Sequence, residues 1–564
     1  MSTKKLRCVI IGAGVSGILL AIKLHKTLSE KVDFWIYEKN SDVGGTWFEN
    51  RYPGCACDVP SHMYQYSFAP NPNWTRFYSS SAEIQAYIKA VAFHYNVYSS
   101  ITFNTLVNKA VWSEEYATWT VSLENGPDVE CDLLVNGSGI LNNFKFPDIK
   151  GLDSFSGPVL HTADWDASAN LSGKRVGIIG AGASAIQTLP AIQDTIAHAD
   201  VYIRTPSWIM SPVLESMATT KGNHQYTAEE KERFRSDPAF YLERRKEMEV
   251  ASNKVLKAFI RDSDEQANLR TELEASMKAV ISDPALQAQL IPSFEVGCRR
   301  LSPGEPYVAA LQRDNVTPVF GDVDEIQPDG VVSGGVLRPV DVIIAATGFD
   351  TSFRPRFPIV GENGVDMREL WKDNPVAYCG LAVAGFPNYL VFLGPNTPIS
   401  NGSVMGTLEA TADYFVRLVQ KMVAQDVAYF SVRADVQADF DSQTQKTMQK
   451  MVWTGSCNSW FKNKLGKVIA LWPGSSLHYR EVLEANRWED YEWKHRQSNR
   501  FAYWGQGFAK VEDNGDGDLA YYLHAHEPLP LEAYYDAARG RGAGTSPMPS
   551  EFTPRKSPAN EVKE

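Results

Sequence analysis

Two segments of the 564-residue chain share one pattern, in which a buried strand runs into a glycine-rich turn and then into a helix. The first segment is Leu6–Gly17 and the second is Lys174–Ala185. Each continues into another short strand, predicted at Val32–Glu38 and at Ala199–Arg204. Because a strand–helix–strand unit that occurs twice is typical of parallel sheets, the sequence predicts an α/β fold with two Rossmann-like domains.

The glycine spacing of the first unit suits a dinucleotide. Gly12 allows the tight turn, Gly14 lets the backbone approach a pyrophosphate, and Gly17 lets the helix pack on the strand. The unpaired amides of the helix N-terminus then face the phosphates. Glu38 ends the second strand, where a carboxylate can accept the ribose hydroxyls.

The second unit differs at two informative positions. Gly180 and Gly182 are retained, but the third glycine is replaced by Ala185, and the second strand ends at Arg204-Thr205 rather than at an acid. A cation and a hydroxyl there suit a 2′-phosphate, which favours NADPH over NADH. Two dinucleotide units in one chain therefore predict FAD plus NADPH, with hydride transfer onto the flavin.

Electrons from the reduced flavin can pass to a disulfide, to an acceptor protein or to oxygen. The seven cysteines of the chain bear on the first of these alternatives. Cys55 and Cys57 are the nearest pair, and strand-like alternation around them would strain a bridge, so we do not expect a redox pair. The cysteines are too sparse for a disulfide scaffold and indicate a reducing compartment, with a cytoplasmic location. A chain of this size needs neither a disulfide nor a metal to stabilise its core.

Charge and hydropathy exclude other classes of partner. The net charge is −12, without a long basic run, so binding to nucleic acid or to anionic lipid is not expected. No stretch of 18 apolar residues predicts a membrane span. His524 and His526 lack a third ligand, so we expect a surface position and no metal site. The oligomeric state stays open.

Three motifs resemble those of a known family. Gly44-Gly45-Thr46-Trp47, followed by Arg51-Tyr52-Pro53-Gly54 and Asp58, resembles the first fingerprint of type I Baeyer–Villiger monooxygenases. Phe155–Asp166 matches that family's FxGxxxHxxxW[PD] signature, and Ala345–Phe349 resembles a motif shared with N- and S-oxidising flavin monooxygenases. The similarity runs from about residue 5 to 510, and within it 295–316 and 390–510 most resemble fungal members, some of which act on polyketide or terpenoid ketones.

The resemblance implies insertion of one atom of O₂ next to a ketone carbonyl, giving an ester or lactone through NADPH-reduced FAD and a C4a-peroxyflavin. Arg300 is implied to lie over the flavin as the catalytic cation, with Asp58 as its partner. The implied FAD contacts are Ser16, Glu38, Thr46, Trp47, Asp58, Tyr64, Val107 and Val404. The implied NADPH contacts are Ala56, Cys57, Gly180, Gly182, Ser184, Ile186, Arg299, Arg300 and Trp460.

Two other functions stay open. An N- or S-oxidising flavin monooxygenase would not need Arg300, and a nucleotide-binding flavoprotein without catalysis would need no substrate site. The stretch Thr351–Pro358 departs from the cyclohexanone-type members, so their substrates are not carried over. We predict an FAD-binding domain at 1–165 and 350–540, an NADPH-binding domain at 166–349 with a helical insertion at about 215–292, and a disordered tail at 541–564.

Overall fold

The computed structural model describes residues 5–210, 222–397, 401–513, 515 and 517–525. Two five-stranded parallel sheets organise this part of the chain. In spatial order, the first sheet contains Tyr389–Val391, Leu133–Asn136, Leu6–Ile11, Val32–Tyr37 and Ile101–Thr102. The second contains Val316–Phe320, His198–Ile203, Arg175–Ile179, Val342–Ala345 and Val159–His161. The predicted α/β class with two Rossmann-like units is therefore confirmed.

The glycine turn of the first sheet has little room for side chains. A Cβ on Gly17 would stand 2.0 Å from the carbonyl oxygen of Gly12, so helix Val15–Leu28 can approach the strand only with glycine at that position. Its other side packs against the long helix Val404–Ala424, which begins at the N-cap Ser403. Both helices contribute buried side chains to one core with the first sheet.

Smaller sheets accompany the two parallel ones. One is mixed: Val107–Ser113, Thr118–Leu123 and Val129–Cys131 are antiparallel, and Ile359–Val360 joins Val107–Ser113 in parallel. Two others are antiparallel: one contains Glu325–Gln327, Gly330–Ser333 and Val336–Pro339, and the other contains Val427–Val432 and Tyr491–His495. Ile209–Met210 pairs in parallel with Ser302–Pro303. The edge strand Ile101–Thr102 of the first parallel sheet is short, and the next strand along the chain begins at Val107.

The region 222–292 is helical, as predicted. Its helices are Ala228–Ser236, Pro238–Asn253, Asp264–Val280 and Pro284–Leu290. Pro238 and Pro284 each occupy the first position of a helix, because a residue without an N–H loses no bond there. Leu273, Met277 and Leu286 bury against the second sheet, which anchors the insertion to that core.

The remaining helices are Thr46–Glu49, Ser81–His94, Ala183–Ile192, Glu305–Ala310, Met367–Leu370, Ala434–Met448, Ser476–Val482 and Lys510–Asp513. The chain divides into a large unit up to Arg500 and a small unit from Phe501. The predicted tail 541–564 and His526 lie outside the described residues. None of the described helices combines the length and apolar character that crossing a bilayer requires.

The predicted domain boundaries and cytoplasmic location stay predictions. One strand bears on the first boundary: Val159–His161, which precedes residue 165, pairs with Val342–Ala345 in the second sheet. Conversely, Tyr389–Val391 joins the first sheet beside Leu133–Asn136, although it follows the second sheet along the chain. The chain therefore leaves the first sheet, completes the second and returns.

Candidate active site

A cavity opens at the carboxyl ends of strands Leu6–Ile11 and Val32–Tyr37. The predicted FAD residues that line it are Gly12, Gly14, Ser16, Glu38, Thr46, Trp47, Tyr64, Val107 and Val404. Gly17 lies behind the turn, and Asp58 is absent from this lining set. Residues from distant parts of the sequence thus meet where an open α/β sheet binds its ligand.

Glu38 is almost fully buried at the end of its strand. Its Oε2 accepts the N–H of Ala13 at 2.7 Å, and its Oε1 accepts the N–H of Asn40 at 2.8 Å. Burial raises the pKa of Glu38, while the two amide donors act in the opposite direction. The carboxylate therefore fixes the glycine turn, and its remaining lone pairs can accept ribose hydroxyls.

Trp47 and Tyr64 form one wall of the cavity. Trp47 Nε1 donates to Tyr64 Oη at 3.2 Å, and the two rings meet edge to face with centroids 5.5 Å apart. Burial raises the pKa of Tyr64, so its hydroxyl stays protonated at neutral pH. The wall is a rigid aromatic surface with its polar atoms paired to each other.

The second glycine turn follows strand Arg175–Ile179 and leads into helix Ala183–Ile192. Gly180 has φ +126°, and a Cβ there would stand 2.4 Å from the carbonyl oxygen of Ala346. Ser184 Oγ accepts the hydroxyl of Thr162 at 3.1 Å. Ile186 is buried in the core beside the second sheet, and its N–H donates to the carbonyl of Gly182. Its contact with NADPH stays a prediction.

Arg204, Thr205 and Arg299 come together beyond strand His198–Ile203. Arg299 Nη1 donates to the carbonyl oxygens of Thr205 at 3.3 Å and Pro206 at 3.2 Å. Burial lowers the pKa of Arg299, and the charge of Arg204 lowers it further. Two neighbouring guanidinium groups that repel each other are suited to an anion.

Arg300 and Asp58 form a bidentate ion pair. Arg300 Nε donates to Asp58 Oδ2 at 2.9 Å, and Nη2 donates to Oδ1 at 2.7 Å. The Arg300 side chain is 47% exposed and that of Asp58 is 19% exposed. The Asp58 charge raises the pKa of Arg300, and burial opposes that shift. The fork fixes the plane of the guanidinium while leaving part of it accessible.

Comparisons with known proteins show the family to which the chain belongs. Residues 4–221 match the flavin-binding monooxygenase-like family. The chain is 41% identical over 532 residues to the FAD-binding monooxygenase tazF of Aspergillus terreus, covering 92% of this chain and 95% of that protein. It is 34% identical over 478 residues to a Baeyer–Villiger monooxygenase of Streptomyces coelicolor, covering 84% and 90% respectively. The chain belongs to the Baeyer–Villiger monooxygenase family.

The fold is similar to that of a solved structure. The crystal structure of OTEMO in complex with FAD and NADP has a TM-score of 0.77 and 26% identity, covering 86% of this chain and 99% of that chain. The predicted family and enzyme class are thus confirmed. The roles of individual residues in this Baeyer–Villiger monooxygenase stay predictions.

A disulfide is the feature that sequence analysis did not foresee. Cys298 and Cys457 are bonded in this monooxygenase, although a chain of this size was expected to need no disulfide to stabilise its core. Distant cysteines give no signal of which pair will meet in the fold. Cys55 and Cys57 are free and buried. Trp460 follows Cys457 closely and contacts Phe461 edge to face, with ring centroids 4.7 Å apart.

Other contacts of the monooxygenase site were also missed. Phe353, Arg354 and Arg356 line the same cavity as the predicted FAD residues, and Arg356 Nη1 donates to the carbonyl oxygen of Asn142 at 3.2 Å. They lie in the stretch 351–358 that departs from the cyclohexanone-type pattern, and its two closely spaced arginines were the sequence feature that could have indicated a site. No comparable sequence feature marks Gln187. Within the part of the chain that the structure describes, no His, Cys, Asp and Glu cluster could hold a metal ion.

Proposed function

We propose that this enzyme inserts one atom of O₂ next to a ketone carbonyl to give an ester or a lactone. The observation that carries the proposal is the bidentate Arg300–Asp58 pair, with half of the Arg300 side chain accessible. Family membership supports the reaction, since the Streptomyces coelicolor relative is itself named a Baeyer–Villiger monooxygenase.

The residues present fit FAD and NADPH. FAD would be held by the turn Gly12–Gly17, by Glu38 and by the Trp47–Tyr64 wall, all in or beside one cavity. NADPH would be held by the second turn and by the neighbouring arginines. Bound FAD, reduced by NADPH, supplies the oxygen activation that the reaction needs.

Arg300 would act by electrostatics alone. Its guanidinium is permanently charged, so it favours negative charge on the oxygen that attacks the ketone carbon and on the tetrahedral adduct. Asp58 would hold the guanidinium in one orientation, because two parallel N–H···O bonds leave it little freedom. A group positioned before the reaction loses no free energy to reorganisation during it.

Arg204, Thr205 and Arg299 would distinguish NADPH from NADH. An extra phosphate dianion relieves the repulsion between the two guanidinium groups, which otherwise lowers the pKa of Arg299. The carbonyl oxygens of Thr205 and Pro206 hold Arg299 at this place through 3.3 Å and 3.2 Å bonds. We therefore propose NADPH as the preferred hydride donor.

Labelled oxygen tests the reaction directly. Purified enzyme supplied with NADPH and ¹⁸O₂ should convert a ketone into an ester carrying one labelled atom. A panel of acyclic, monocyclic and polycyclic ketones, one sulfide and one tertiary amine separates this function from heteroatom oxidation. Oxygenation of the sulfide and the amine with every ketone untouched would refute the proposal.

A further inference from the structure

Gln187 brings the two nucleotide-binding units into contact. It lies in helix Ala183–Ile192, which begins at the second glycine turn. Its Oε1 accepts the hydroxyl of Tyr52 at 2.8 Å and the N–H of Ala56 at 3.4 Å, and its Nε2 donates to the carbonyl oxygen of Ala56 at 3.0 Å. One side-chain amide therefore binds both backbone polar groups of Ala56.

The segment 54–57 is held from two sides. On one side, Cys57 N–H donates to the carbonyl of Ser79 and Ser81 N–H donates to the carbonyl of Cys55. On the other side it lies against the helix, since a Cβ on Gly54 would stand 2.4 Å from the carbonyl oxygen of Gln187. Gly54 also has φ +80°, which favours glycine. The Gln187 amide is thus the polar part of a close helix–segment contact.

Asp58 follows this segment directly, and its carboxylate holds Arg300. We propose that Gln187 is a positioning residue that couples the NADPH-binding turn to the Arg300–Asp58 pair. When the helix shifts with the nucleotide at its N-terminus, the amide moves Ala56 and therefore Asp58. The proposal rests on the proposed role of Arg300, and it assigns Gln187 no contact with substrate or cofactor.

A double-mutant cycle tests the coupling. Gln187→Leu should lower ester formation about tenfold to a hundredfold, because a misplacement of about 1 Å at a reacting group costs up to about 100-fold. The rate of flavin reduction at saturating NADPH should stay within about threefold. In an Asp58→Ala background the same substitution should change ester formation by less than about twofold, because its route of action is gone.

Hydrogen exchange gives a readout that does not depend on turnover. Addition of NADP⁺ to the wild-type holoenzyme should slow amide exchange in residues 55–58. In Gln187→Leu that protection should be lost although NADP⁺ still binds. Gln193→Leu is the matched control, because Gln193 caps the other end of the same helix and lies within 3.5 Å of Asn315 instead. It should keep both the protection and ester formation.

The proposal is overturned if the losses from Gln187→Leu and Asp58→Ala multiply, or if NADP⁺ protects residues 55–58 equally in the variant. If Gln187→Leu does not fold with FAD bound, Tyr52→Phe, which deletes one donor of the same cluster, is carried through the same cycle and exchange measurement. The role of Arg300 is tested separately, because normal ester formation by Arg300→Ala would refute that role. If the losses of activity from Gln187→Leu and Asp58→Ala multiply in the double variant, only the coupling by Gln187 is refuted.

Discussion

Cys298 and Cys457 are joined by a disulfide, although 159 residues separate them along the chain. Both are buried, with 0% and 5% exposure. Cys298 lies beside Arg299 and Arg300, and Cys457 lies shortly before Trp460. The bond therefore ties the segment of the proposed catalytic arginine to the segment of a predicted NADPH contact.

Removal of this bond should destabilise the enzyme. A cross-link that closes a loop of this length is worth up to about 5 kcal/mol by chain entropy. Cys298→Ser, or treatment of the wild type with a dithiol, should therefore lower the thermal unfolding temperature. Cys55→Ser is the control, because Cys55 is also buried but free. Equal unfolding temperatures of the wild type with and without dithiol, once mass analysis shows reduced thiols, would contradict the prediction.

Substitution of Arg300 should separate reduction from oxygenation. Arg300→Ala is expected to leave reduction of the flavin by NADPH within about threefold and to lower ester formation by about 10²–10³, as loss of an oxyanion-stabilising group does. Arg300→Lys keeps a charge but loses the fork to Asp58, so we expect only partial recovery. Stopped-flow absorbance and product analysis measure the two steps.

Arg313→Ala is the matched control for Arg300. Arg313 pairs with Asp194 at 3.6 Å on the surface, where both side chains are more than half exposed. It should not alter either step, because an exposed pair contributes little. An Arg300→Ala variant that forms ester at the wild-type rate would defeat the assignment.

Cofactor preference should depend on Arg204. Loss of a charge-assisted phosphate contact is worth about 1.5–3 kcal/mol, so Arg204→Ala should raise the KM for NADPH about tenfold to over a hundredfold. The KM for NADH should hardly change, because NADH lacks the 2′-phosphate. Steady-state kinetics with both nucleotides measures this, and parallel increases for the two would refute the 2′-phosphate role.

Local patterns in the sequence were enough to predict both nucleotide-binding turns. Gly12, Gly14 and Glu38 line one cavity because turn, helix N-terminus and strand end are all set within one continuous unit. Arg300 and Asp58 lie far apart in the sequence, and only the family resemblance paired them. Their 2.7 Å contact agrees with that pairing, although their roles stay predictions.

Long-range contacts between ordinary residues were beyond sequence reasoning. A glutamine in a helix carries no sign of which backbone it will bind, so the contact of Gln187 with Ala56 could not be predicted. The position of such a contact is decided by the partner across the fold and not by the residues next to Gln187 in the sequence.

A buried histidine outside the proposed active site should make the enzyme sensitive to acid. His62 is 2% exposed, its Nδ1 lies 2.9 Å from Tyr241 Oη, and its ring meets those of Tyr226 and Phe234 edge to face. Among the described residues its Nε2 has no hydrogen-bond partner. Burial, together with the charges of Arg245 and Arg244, lowers the pKa of His62 from 6.5 to about 3.

The lowered pKa fixes the direction of the pH effect. The unfolded chain binds a proton at His62 below about pH 6.5, whereas the folded chain does so only near pH 3. The contribution of neutral His62 to the free energy of unfolding is therefore fully present above about pH 6.5. It is lost progressively as the pH falls toward 3. When the pH is lowered from about 7.5 to about 5, protonation linked to His62 should decrease the free energy of unfolding by about 2 kcal/mol.

His62→Phe tests this, because phenylalanine keeps an aromatic ring and cannot be protonated. Urea unfolding of the variant should lose about 2 kcal/mol less than the wild type between those two pH values. His94→Phe is the control, since His94 is exposed at the end of helix Ser81–His94. Its pH dependence should match that of the wild type. If His62→Phe also matches the wild type, the buried ring does not govern acid sensitivity and the lowered pKa is wrong.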